Sequence, residues 1–191
     1  MILYTAPWPG QGFYTKFPVN SVSDFKGKKL RIYSTATQQM GSMLGFNATI
    51  LPFAEIPQAF STGLIEALFT SPQTGIDIQA WDNTKHFTYA GAIFSKNAVV
   101  VTKKAFNALS KGDQSNMLAA AKKAELRGWE MSAETTKKQI GILKKNGMSS
   151  KNAPDEVISK MKSIGLEMMK NWRSKASPEA NAVLDRYLSM R

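Results

Sequence analysis

Strand-like and helix-like segments alternate from residue 29 to residue 101, which predicts an α/β fold. Three observations carry this reading. Short runs rich in β-branched and aromatic residues alternate apolar and polar side chains with period two. Helix-type segments follow the first of these runs within a few residues, and two of them close on a glycine. Beyond residue 103 the pattern changes to long, lysine-rich helical stretches. Alternation at this spacing implies βαβ units, and hence a parallel sheet covered on both faces.

Taken in order, the first 24 residues read as loop, because "PWPGQG" clusters two prolines and two glycines. "KKLRIYS" alternates as a strand, and "TATQQMGSMLG" follows as a short helix closed by Gly45. "NATILPF" is a second strand, and "AEIPQAFSTG" a short helix with Gly63 as its cap. "LIEALFTS" is a third strand, and Pro72 stands where a helix readily begins. "HFTYAGAIF" and "NAVVVTKK" supply two more strand candidates. Residues 110–146 then run without a proline, from an N-cap at Ser110 to a C-cap at Asn146–Gly147. One helix, or two collinear ones, of about 35 residues would reach roughly 50 Å. Two further helices open on Pro154 and Pro178. The expected division is an α/β lobe over 1–102 and a helical region over 103–191, with the helix at 110–146 long enough to span two lobes.

Composition removes several chemistries. There is no cysteine and a single histidine, His86, so disulfides, thiolate nucleophiles and histidine-based metal clusters are excluded. Among the acids of the first half, Glu55, Glu66, Asp77 and Asp82 show no spacing that would pair two across a cleft, and neither a P-loop nor a nucleophile elbow is present. Apolar runs such as "AVVV" are too short to span a bilayer. The expectation is no enzyme, no cofactor, no metal and no membrane-embedded segment. Charge is uneven: residues 1–102 carry 7 basic and 5 acidic side chains, residues 103–191 carry 18 and 9. A basic helical protein binding nucleic acid or another polyanion is therefore an alternative. The lysines come as dispersed pairs without stacking aromatics, which favours a solvated helical surface.

Ligands of open parallel sheets bind beyond the carboxyl ends of the strands. Those positions hold Ser34–Thr35, Phe53–Ala54–Glu55 and Thr70–Ser71–Pro72. Arg31 stands between Leu30 and Ile32 on the first strand. Hydroxyls, an aromatic and an arginine are what a small organic anion needs, because a guanidinium pairs with a carboxylate through two parallel hydrogen bonds.

"SVSDFKGKKLRIYS", "ATILPFAEIPQAFSTGLIEALFTSPQTGID" and "NAVVVTKKAFNALSKGDQSNMLAAAKKAE" stand in the order of the solute-binding proteins of tripartite ATP-independent periplasmic (TRAP) transporters, which the chain resembles nearly throughout. The resemblance implies a two-lobed, periplasmic-binding-protein-like (type II) receptor. Such a receptor closes on an organic acid in the periplasm and delivers it to membrane subunits. It implies that Arg31 grips the ligand carboxylate, that Phe53 lines the pocket, and that Thr70, with Ser71 beside it, stands where many members carry asparagine. Where some relatives place a second arginine, Gln11 stands here, and Trp8 offers an aromatic platform. Members are longer, and this chain matches from the start of their second lobe. The expectation is therefore a truncated form that lacks most of the first lobe and leaves the helices at 110–146 and 154–175 partly uncovered.

Overall fold

The computed structural model describes residues 1–190. Eight strands run through it: β1 Ile2–Pro7, β2 Gln11–Thr15, β3 Lys29–Ile32, β4 Asn47–Ile50, β5 Ala67–Thr70, β6 His86–Ala92, β7 Lys96–Val100 and β8 Ser149–Asn152. Seven α-helices accompany them: α1 Thr35–Met43, α2 Ile56–Ser61, α3 Pro72–Asp77, α4 Lys103–Asn107, α5 Lys111–Lys145, α6 Asp155–Arg173 and α7 Pro178–Leu188. Six strands form one sheet in the order β4-β3-β5-β2-β6-β8, and β1 pairs with β7 as a separate antiparallel ribbon.

The sheet is mixed rather than parallel. β3 pairs in parallel with β4 and β5, and β6 with β8, but β2 runs antiparallel to both β5 and β6. The cause is a strand where a loop was expected. "PWPGQG" breaks the chain between two strands instead of dissolving them, and β2 is buried along its whole length in the sheet's centre. Its period-two alternation sends Phe13 to one face and Tyr14 to the other. β8 was likewise not foreseen: "SSKN" is polar and lies on the sheet's edge beside β6. With it, the segment after residue 102 returns to the sheet.

Each face of the sheet carries a core. Leu30 and Ile32 join Phe13, Phe25, Phe46 and Phe69 on one side, where Phe25 and Phe46 stack at 4.5 Å between ring centres and Phe13 lies 4.8 Å from Phe69. α6 covers this cluster with Val157, Met161 and Ile164 and leaves Leu166 and Trp172 exposed. On the other side Tyr14, Leu68 and Phe87 pack against Ile56, Phe60 and Leu143. A fully buried aliphatic or aromatic side chain contributes about 1.5–3 kcal/mol, so these two layers dominate the stability.

The helix ends follow local chemistry. Ser34, Ser71, Ser110 and Ser177 each accept a hydrogen bond from the third backbone N–H of the helix they cap. Pro178 holds the first turn of α7, whereas Pro154 sits one step earlier than expected, as the cap residue of α6. α5 is a single helix of 35 residues packed along β1. Much of its outer surface, with Leu126 and Met131, and of α7, with Val183, is exposed.

Glu125 ties α5 to the ribbon. Its Oε1 accepts from the Thr5 hydroxyl at 2.7 Å and from the Thr5 backbone N–H at 2.9 Å, and these bonds hold its carboxyl below the ordinary carboxylate range. A depressed folded-state pKa adds stability that is present above the unfolded value and lost as pH falls through the folded one. Thermal melts of the parent and Glu125→Gln should therefore differ most at neutral pH and converge near pH ~3.

Candidate functional site

Period-two alternation along β3 turns Leu30 and Ile32 into the aromatic core and sends Arg31 to the opposite face. There Arg31 is only 4% exposed. Its Nε donates to the Leu51 carbonyl at 3.0 Å, and its guanidinium lies 5.9 Å from the centre of the Tyr33 ring. Among the described residues it pairs with no carboxylate, and no hydrogen bond engages its two terminal nitrogens. Burial lowers its pKa from the ordinary guanidinium value, yet leaves it a cation at any physiological pH. A buried charge without a counter-ion is costly, so its retention points to an anion supplied from outside.

Arg31 opens into a surface cavity of about 460 Å³ lined by Trp8, Gln11, Tyr33, Phe53, Thr70, Ser71, Thr74, Ser95 and Asn97. All six residues singled out in the sequence (Trp8, Gln11, Arg31, Phe53, Thr70 and Ser71) meet there. Trp8 comes from the link between β1 and β2, Gln11 from the first position of β2, and Thr70 and Ser71 from the end of β5 and the cap of α3. Phe53 stands at the mouth, 52% exposed on a short 3₁₀ turn. Thr70 is buried, and its hydroxyl has no partner among the described residues. Asn97 is exposed, and its side-chain amide is likewise uncommitted among the described residues.

The other polar groups are already engaged. Ser71 Oγ caps Thr74 N at 3.2 Å and lies 3.0 Å from the Thr74 hydroxyl. The Gln11 amide nitrogen lies 3.1 Å from the Ile93 carbonyl, 3.0 Å from Ser95 Oγ and 2.8 Å from the Tyr33 hydroxyl. An amide has two protons for these three neighbours, so the consistent pattern has Tyr33 donating to Gln11 Oε1 at 3.0 Å and Gln11 donating to Ile93 and Ser95.

Four lining residues were missed. Tyr33 was legible, two positions beyond Arg31 and so on the same face of the chain. Thr74 follows Ser71 by the three residues of a helix cap. Ser95 and Asn97 had no signal, because only the tertiary path of β7 brings them near. Trp129 is 49% exposed; it lies under the Lys96 ammonium and lines a second cavity together with Trp8. A larger cavity of about 810 Å³ between α1 and α6 is lined mostly by apolar side chains, and its one charged residue is Lys162. No buried unpaired group faces it among the described residues. Among these cavities, the one at Arg31 offers a cation with uncommitted donors, which is chemically suited to an anion.

The family description "bacterial extracellular solute-binding protein, family 7" matches residues 10–175. Among solved structures, the chain is similar to a Bordetella pertussis extracytoplasmic solute receptor binding pyroglutamic acid, with 39% identity and a TM-score of 0.94, over 98% of this chain and 62% of that one. A second receptor from that bacterium, also binding pyroglutamic acid, shows 35% identity and a TM-score of 0.94, over 99% and 63%. A marine metagenome TRAP solute-binding protein specific for pyroglutamate, from an unidentified microbe, gives 33% identity and a TM-score of 0.92, over 99% and 62%. The chain thus spans about three fifths of the length of these relatives.

Proposed function

Because the chain belongs to family 7 of the bacterial extracellular solute-binding proteins, the solute receptors of TRAP transporters, we propose that the Arg31 cavity captures a small cyclic monocarboxylate of the pyroglutamate type. As a member of that family it is a receptor and not an enzyme. The observation that carries the ligand class is the lining itself: one cation and nine uncharged residues. A single carboxylate would pair with the free terminal nitrogens of Arg31, and a second would meet no counter-charge. Trp8 and Phe53 present aromatic surface to a compact ring. The uncommitted Thr70 hydroxyl and Asn97 amide suit a lactam, which offers one donor and one acceptor.

In this reading residues 1–102 carry the ligand-contacting wall, and α5, within residues 103–191, crosses toward the part of the receptor that the relatives have beyond this chain. Closure of that part over the ligand would exclude water and strengthen the arginine pair. The receptor would work in the periplasm and hand its solute to TRAP membrane subunits, with no nucleic-acid partner. Among the described residues, no helix is long and apolar enough to cross a membrane.

The test is a thermal-shift panel on this chain and on a complete relative. Pyroglutamate should stabilise both, the complete receptor more, because an ion pair left open to water is worth only about 0–1 kcal/mol. Pyroglutamate amide, a dicarboxylate of similar size and a DNA duplex at ~150 mM salt should stabilise neither. Equal stabilisation by the amide would contradict the carboxylate reading.

A further inference from the structure

Gln11 stands in the cavity wall, but both of its amide protons are engaged inside the protein, which leaves it no proton to donate to a ligand. What it touches suggests another task. Two stretches of chain lead from the sheet to the ribbon near the cavity, the Trp8–Pro9–Gly10 link before β2 and the Ile93–Phe94–Ser95 link after β6. They are joined by the Trp8 N–H bond to the Ser95 carbonyl, at 2.8 Å. The second link is bent sharply. Gly91 has φ +60° and Ile93 φ +55°, and the pairing of β2 with β6 slips at Gln11/Gly12. Glycine adopts such angles freely, but a β-branched residue there is strained and persists only when its surroundings hold it. The Ile93 carbonyl accepts one of the two Gln11 amide protons, and Ser95, two residues on, accepts the other. The amide oxygen takes the hydroxyl proton of Tyr33, whose ring lies beside Arg31.

We propose that Gln11 is a positioning residue: its buried amide holds the Ile93–Ser95 corner in its left-handed bend and fixes the Tyr33 ring, so that the cavity keeps the shape in which Arg31 meets a ligand. This rests on the reading of the cavity as the ligand site for its consequence in binding, but not for its effect on the backbone. Gln11 is 3% exposed, so its amide end of the network is shielded from water, while Tyr33 and Ile93 stand partly in solvent. A methionine at position 11 has a similar volume and no amide; it would leave the strained corner without its restraint.

The Trp8 amide reports on the corner directly, because among the described residues its one acceptor is the Ser95 carbonyl. Hydrogen exchange on the full chain should show Gln11→Met speeding exchange at Trp8 by about tenfold, while Leu68 and Phe69 in the sheet keep their protection. Ile93 is partly exposed, and asparagine tolerates the left-handed region, so Ile93→Asn in the Gln11→Met background should recover most of the lost protection. Pyroglutamate affinity should fall and recover with it. Unchanged exchange at Trp8, an equal rise at Leu68 and Phe69, or no recovery with Ile93→Asn would overturn the proposal. A parent chain that binds no pyroglutamate would instead remove the ligand reading, while the exchange data still decide the role of Gln11.

Discussion

Calorimetric titration with pyroglutamate should show Arg31→Ala weakening binding by about 0–1 kcal/mol while the ion pair is open to water, and by about 1.5–3 kcal/mol, the value of a hydrogen bond to a charged group, once the ligand is enclosed. The expectation follows from the state of the side chain. Nε is spent on Leu51, while both terminal nitrogens are uncommitted and lie at a cavity with no other charge. A carboxylate can meet both in the parallel geometry that makes guanidinium pairs strong. Arg31→Lys should recover only part of the loss, because an ammonium is a point charge and cannot match the planar fork. A lysine would also give up the Leu51 bond that aims the group. Unchanged affinity in Arg31→Ala with the ligand enclosed would remove the carboxylate assignment.

The second large effect lies away from the ligand. Gly75→Ala should destabilise the chain by at least the ~1–3 kcal/mol typical of overpacking, and lower the midpoint of chemical denaturation accordingly. A Cβ at position 75 would stand 2.0 Å from the Tyr14 hydroxyl oxygen and 2.3 Å from Cζ. Tyr14 cannot retreat. It is fully buried against Phe87, and its hydroxyl donates to the Ser71 carbonyl at 3.2 Å. That bond ties Ser71 and the start of α3 to the sheet. Tyr14→Phe should not rescue Gly75→Ala, since the ring carbon alone is too close. A double variant as stable as Tyr14→Phe alone would show that the hydroxyl is the whole obstacle.

Legibility in the sequence followed the range of the interactions. Arg31, Thr70 and Ser71 were readable because strand alternation and helix capping act over two to three residues. Gly45 and Gly63, at φ +97° and +71°, were readable for the same reason. β2 was not, since its neighbours β5 and β6 lie more than 50 residues away and the flanking prolines and glycines resemble a loop. Without β2 the sheet reads as parallel, and its insertion between β5 and β6 is what makes it mixed. β8 lacked any apolar pattern because an edge strand of four polar residues needs none. The task inferred for Gln11 was out of reach altogether, because positions 33, 93 and 95 reach it only through the fold. Sequence reasoning put Gln11 in the site as a substitute for an arginine; the structure has it there with every proton already engaged.

We propose that Arg31 is a cation kept buried for an anion that comes from outside. The most direct measurement is a pair of thermal melts, with and without saturating pyroglutamate, on the parent and on Arg31→Met. Replacing a buried, unpaired charge by an apolar side chain of similar length is neutral or stabilising. Arg31→Met without ligand should therefore melt at or above the parent's temperature, and pyroglutamate should raise the parent's melting temperature but not the variant's. A variant that melts well below the parent without ligand, or that still responds to pyroglutamate, would contradict the claim and make Arg31 a structural residue.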